Sequence, residues 1–492
     1  MTDKTKPGIS IIAMAFISGV FGDSLLRATP WGLNLLVWIA VLVVSAVVVL
    51  AFNRVESVIG SRWLVIPLMF FAAAVAWRDS QVLKALNLIG IVMTLAMILM
   101  RSQAGKLLTA GVSDCAFSVL ASHYNALAGA GYLIGDIQWK EIPRDRWRYH
   151  VAPVAKGLLI AFPLLLIFGG LLASADAAFS DLLFRVFDWD FAGIFVHCLL
   201  TTAVAWAVAG FLRGVVAGKE MEAIKGERPG FLWLGVTETV IVLGLLDILF
   251  LSFVVVQFRY FFGGAARIQA VAGLTYAEYA RSGFFELVGV AALVLPLLLA
   301  AHWLLRKEKA RDERIFRVLA GIQIALLFVM MVSALQRMRL YQREYGLTEL
   351  RVYTTVFMGW LAVIFVWFAM TVLRGRRERF AFGAMVTGFL AIGALLAVNP
   401  DRLIARANVD LAIAGRDFDA AYAASLSADA VPELIASLPK LNRSQRCALA
   451  LQILQNKPIA GSPGWRRWNW SRAEAARALA AGEQELRESN CR

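Results

Sequence analysis

Seven arginines make the most suggestive chemistry in this sequence. Arg259, Arg267, Arg281, Arg337, Arg339, Arg343 and Arg351 gather at neighbouring ends of long apolar runs, and every basic residue at those ends is arginine. Gln257, Tyr260, Tyr279 and Tyr341 are interleaved with them, as are the acids Glu278, Glu286, Glu344 and Glu349. A guanidinium is a planar fork of donors that pairs with a carboxylate or phosphate through two parallel hydrogen bonds, which a lysine ammonium cannot do. Gln257, Arg259, Tyr260, Tyr279, Arg281, Glu286, Arg337, Arg339, Tyr341 and Arg351 are therefore a candidate site for an anionic ligand such as a lipid phosphate. The competing reading is structural: Arg–Glu pairs and tyrosines staple helix ends at a membrane interface.

Two acids lie deeper. Tyr279, Gly283 and Glu286 follow an i, i+4, i+7 spacing and share one helix face, which places Glu286 about a turn inside the apolar region. Asp247 sits in the middle of "VLGLLDILFLSF". At that depth an ionisable group normally faces a partner or a cavity. Asp247 is a candidate proton-relay or ion-coupling group, or else a protonated structural acid. The other chemistry is excluded by pattern. The four cysteines, Cys115, Cys198, Cys447 and Cys491, form no CxxC, and the four histidines are scattered, so no zinc-type site is expected. No phosphate loop, nucleophile elbow, HExxH or dinucleotide fingerprint occurs. No catalytic residue, cofactor or metal is assigned.

The elements that position these residues are membrane helices. Of 492 residues, 60% are hydrophobic and 17% charged, and the mean hydropathy is +0.67. Soluble chains are nearer half apolar and a quarter charged. Runs of about 20 apolar residues predict an all-α, polytopic bundle of about 11 transmembrane helices: 8–27, 31–52, 62–78, 83–100, 151–173, 191–212, 234–260, 281–305, 315–337, 351–373 and 380–399. The first run lacks a small-residue cleavage site and reads as a retained helix. The net charge of +14 then records orientation rather than nucleic-acid binding. With the N-terminus inside, the inside loops hold 25 Lys and Arg against 11 outside, which favours a cytoplasmic N-terminus. Residues 1–400 form the membrane domain, with a cytoplasmic, partly interfacial loop at 101–150. An eleven-span count puts the helical tail, 401–492, on the periplasmic side, where Cys447 and Cys491 are able to pair. In that tail, Ser471 with Glu474 has capping-box spacing, and "GWRRWNW" is expected to pack within the tail rather than on lipid. Two "GLT" sequences, at 273–275 and 346–348, each open a span, with the threonine as N-cap.

The stretches "AWRDSQVLKALNLIG" (76–90), "FVVVQFRYFFGG" (253–264), "YAEYARSGFFELVG" (276–289), "MRLYQREYGLTELRVYTTVFMGW" (338–360), "NPDRLIARANVD" (399–410) and "SLSADAVPEL" (425–434) resemble the domain-of-unknown-function 4173 family and its relative 4153. The resemblance implies a polytopic bacterial membrane protein and brings no functional residues with it. Three functions then compete. The first is a protein of the bacterial inner membrane that binds or moves an anionic or lipid-linked ligand among its membrane lipids. The second is a non-catalytic envelope component that meets a protein partner through the tail. The third is a lipid-carrier-dependent transferase with Asp23 as its acid.

Overall fold

The computed structural model of the protein describes residues 5–54, 62–100, 111–139, 146–176, 191–217, 235–261, 284–306, 309–456 and 464–488. Among them every regular element is helical, as hydrocarbon demands, because a helix pairs each run's backbone N–H and C=O groups internally. The helices are α1 (Thr5–Leu26), α2 (Leu33–Phe52), α3 (Val65–Trp77), α4 (Gln81–Met100), α5 (Val112–Asp136), α6 (Arg146–Ala175), α7 (Phe191–Ala217), α8 (Val236–Phe261), α9 (Phe284–Leu304), α10 (Ala310–Tyr345), α11 (Glu349–Thr371) and α12 (Phe380–Val398). The tail adds α13 (Pro400–Ile413), α14 (Ala420–Ser425), α15 (Val431–Ser437), α16 (Arg443–Asn456), α17 (Trp470–Ala481) and α18 (Glu483–Glu488).

Among the described residues, nine helices are long and apolar enough to cross a membrane: α1, α2, α4 and α7 to α12. Each of the eleven expected runs falls on a helix. The run 62–78 becomes α3, whose 13 residues reach only about 20 Å against a hydrocarbon core of about 30 Å. The run 151–173 lies inside α6. The 101–150 region holds a helix of its own, α5, and its basic sequence ends in the first turn of α6; residues 101–110 and 140–145 lie outside the described residues.

The chain divides into two compact units. One comprises residues 1–29, 37–59 and 120–218. Its centre is α1 lying along α7. A Cβ on Gly19 would stand 2.6 Å from the Thr201 carbonyl, and one on Gly22 would stand 2.6 Å from Val204, so glycine is what lets the helices approach. Ser18 and Ser45 hydroxyls pair at 2.9 Å between α1 and α2, which satisfies both inside the bilayer. Arg213 binds Asp136 at 2.8 Å and lies over the Tyr132 ring.

The other unit comprises residues 30–36, 60–119 and 219–492. Its membrane core interleaves α8, α9, α10 and α11 through side chains such as Leu243, Phe284, Phe316 and Phe365. Phe71 of α3 meets Phe389 of α12 edge-on at 4.8 Å. The tail has its own apolar core, built from Ile404, Leu434, Leu438, Leu449 and Ile453, which takes in Val352 of α11. Cys447 is disulfide-bonded, and Cys491 lies outside the described residues.

Candidate functional site

The arginines predicted as one cluster have different surroundings. Arg337 Nη2 donates to Gln257 Oε1 at 2.8 Å, and Ser333 Oγ donates to the same oxygen at 3.1 Å. This polar contact joins α8 to α10 in the membrane. Arg351 Nη1 donates to the carbonyls of Tyr345 and Gly346 at 3.1 and 2.6 Å, and its guanidinium lies 4.1 Å from the centre of the Tyr341 ring. It thereby satisfies carbonyls that the end of α10 leaves unpaired. Arg339 and Arg343 stand one turn apart, both exposed. With Gln342, Leu347, Ala407, Asp410 and Leu411 they line a surface cavity of about 430 Å³ between α10 and α13. Glu286 is exposed in the first turn of α9. Tyr279 and Arg281 lie outside the described residues, as do the first "GLT" and the side chains of Arg259 and Tyr260. Asp247 is buried, and neither of its carboxyl oxygens has a hydrogen-bond partner among the described residues.

The second "GLT" behaves as its sequence predicts. Thr348 caps α11, its hydroxyl accepting from Arg351 N. Gly346 ends α10 at φ 72°, a conformation open to glycine. Asn408 of the tail reads this turn like a backbone strand, accepting from Leu347 N at 2.7 Å and donating to Leu347 O at 2.9 Å.

A larger polar centre was not anticipated. Asp429 Oδ2 accepts from the backbone N–H of Asp79 at 2.7 Å and of Ser80 at 3.1 Å. Its Oδ1 accepts from Ser471 Oγ at 2.5 Å and Arg78 Nη1 at 3.4 Å. Asn469 Nδ2 donates to the carbonyls of Val75 and Arg78. Lys84 and Arg472 both bind Asp79. Tyr353 of α11 shares a hydrogen bond with Ser80 at 3.1 Å. The turn between α3 and α4 is thus clamped by the tail. Ser471 corrects one expectation. Asn469, not Ser471, caps α17, and the Ser471 hydroxyl is drawn instead to Asp429. "GWRRWNW" corrects another. Trp465, Trp468 and Trp470 are exposed, and the backbone of the segment is held at a helix end, where Trp468 O accepts from Leu33 N at the start of α2.

Tyr353 also borders an apolar cavity of about 750 Å³ between α4, α9, α11 and α12, lined by residues such as Leu86, Leu299, Trp360, Phe389 and Ile392. In the other unit, His197 Nδ1 meets Asp23 Oδ2 and Arg27 reaches the same ring. The acid singled out for group transfer is therefore already paired.

The model for the family described as "Domain of unknown function (DUF4153)" matches residues 65–437, about three quarters of the chain. The chain belongs to the DUF4153 family. The recurring stretches point to this relative; membership of the 4173 family is not shown. No curated protein and no solved structure matches the chain. The signal for the polar centre was in those stretches. "AWRDSQ" brings Arg78, Asp79 and Ser80, "NPDR" brings Asp401, and "SLSADAVPEL" brings Ser427 and Asp429. Spacing could not reveal it, since Asp429 and Asp79 are 350 residues apart. In DUF4153 terms, three separated stretches meet at one end of the membrane helices.

Proposed function

We propose that this DUF4153 protein is a bacterial inner-membrane protein that binds an anionic lipid headgroup at the end of the bundle where the tail docks. The observation that carries this reading is the Arg339–Arg343 pair. Among the described residues neither side chain has a hydrogen-bond or ion-pair partner, and both border one open cavity with a single acid, Asp410. Two unengaged guanidiniums one turn apart suit a phosphate, which accepts from several donors at once. Arg337 and Arg351, by contrast, serve the fold. The exposed tryptophans beside Arg466 and Arg467 fit an interfacial position of the tail, which favours lipid over a protein partner as its neighbour.

We further propose a cytoplasmic N-terminus and a periplasmic tail. The excess of basic residues in the inside loops supports this, and so does the bonded Cys447, since disulfides persist in oxidising compartments. The test uses the full chain in nanodiscs. Binding of phosphatidylglycerol over phosphatidylcholine is measured by native mass spectrometry, with inorganic phosphate as a competing arm. The double variant Arg339→Gln, Arg343→Gln is expected to lose the preference for the anionic lipid. A preference that survives the double variant would overturn the reading. Competition by free phosphate would move the ligand from lipid to soluble anion.

A further inference from the structure

At the junction of α11 and α13 the side chains of two acids, Glu349 and Asp401, interact. Asp401, in the first turn of α13, has no exposed surface. Its Oδ2 accepts from Ser427 N at 3.2 Å. Its Oδ1 is buried and has no donor among the described residues. The Glu349 carboxyl at the start of α11 is within hydrogen-bonding reach of Asp401. The other titratable groups around the pair are Asp429 after the Ser427 turn, Asp79 from the α3–α4 turn, Tyr353 of α11 and Tyr422 of α14. The Tyr422 hydroxyl accepts from Glu349 N at 2.8 Å. The nearby cations are engaged with other groups: Arg78 with Asp429, Lys84 and Arg472 with Asp79, and Arg402 with Glu433. Arg351 holds the last carbonyls of α10.

Two adjoining carboxylates repel, and a desolvated carboxylate oxygen without a donor is unfavourable by several kcal/mol. One proton placed between them removes both problems and makes a charge-assisted hydrogen bond. We propose that Asp401 and Glu349 form a proton-binding site, in which one shared proton fastens the tail to the membrane helices.

Burial pushes the Asp401 carboxyl up from its ordinary value, the Ser427 hydroxyl opposes this, and the charges of Asp429 and Asp79 add to the rise. The docked tail therefore holds this proton more tightly than the unfolded chain does. The stability it contributes is complete below the ordinary aspartate value of about 3.9 and is lost as pH rises through the raised value.

The test is hydrogen exchange of residues 399–437 in the full chain in nanodiscs, from about pH 5 to about pH 9, corrected for intrinsic rates. Protection of the wild type is expected to fall as pH rises. Asp401→Asn, which cannot titrate and carries its own N–H donors, is expected to stay protected throughout. Infrared difference spectra over the same range should show loss of a protonated-carboxyl band, absent in Asp401→Asn. Wild-type protection that does not change with pH overturns the proposal, as does an unchanged pH dependence in Asp401→Asn. If that variant does not fold, the wild-type infrared band decides: its absence at low pH overturns the proposal.

Discussion

The Asp429 carboxylate collects two backbone N–H groups, a hydroxyl from α17 and the Arg78 guanidinium. Its side chain is wholly buried. Truncating it would leave Arg78 and two turn amides without their acceptor, and breaking a buried pair in this way costs about 3–5 kcal/mol. Asp429→Ala is expected to lower unfolding stability by about that amount in detergent denaturation. Asp429→Asn should lose less, because one oxygen still accepts. A change below about 0.5 kcal/mol for alanine, the size of an ordinary surface substitution, would show that the tail does not depend on this acid. No single-residue signal marks Asp429 in "SADAV". Residue type was legible for the arginines, but their roles were not: Arg337 and Arg339 differ by two positions, and only the former points at Gln257. That distinction depends on which helix packs opposite, which spacing along one run does not contain.

Helices were the most legible scale, because a long apolar run in a bilayer has one way to satisfy its backbone. Their ends were less so. The run 315–337 became the 36-residue α10, about 54 Å long and well beyond a 30 Å core, since its polar ends remain helical outside hydrocarbon. Thr348 was readable as a cap. Ser471 was misread, because Asn469 competes for the same helix end and Asp429 offers the serine a better-placed acceptor. How helices approach one another was not readable from hydropathy at all. Gly19 illustrates the reason. Its lack of a Cβ matters only because Thr201 and Ala205 stand opposite. Gly19→Val is expected to destabilise the α1–α7 pair by about 1–3 kcal/mol through overpacking. Gly244→Val, where nothing lies within 4 Å of the added Cβ, is the control and should be near neutral. Equal effects on thermal unfolding would exclude close α1–α7 approach as the cause.

At the scale of the molecule, the start of α2 and two interhelical turns meet the tail. Leu33 N reaches Trp468 O, Ser80 N reaches Asp429, and Leu347 N reaches Asn408. The helices between these segments leave the apolar cavity below Tyr353. It runs along α12 from Leu395 to Phe380 and along α11 from Tyr353 to Ile364, about 22 Å on the longer path at 1.5 Å per residue. That is most of the depth of a hydrocarbon core. Its volume, about 750 Å³, is in the range of small-molecule sites. Water gains nothing from such walls, because it finds too few polar partners, whereas a hydrocarbon chain loses nothing by entering from the bilayer. The purified protein is therefore expected to retain lipid through mild detergent exchange. Ala384→Trp, which fills the cavity from α12, should reduce the lipid carried per chain in native mass spectra. The apolar face of α8 where Leu245, Ile248 and Leu249 are exposed provides the comparison: Leu245→Trp should leave retention unchanged. Equal retention in wild type and both variants would mean that chains exchange freely along the bundle and that the cavity holds none.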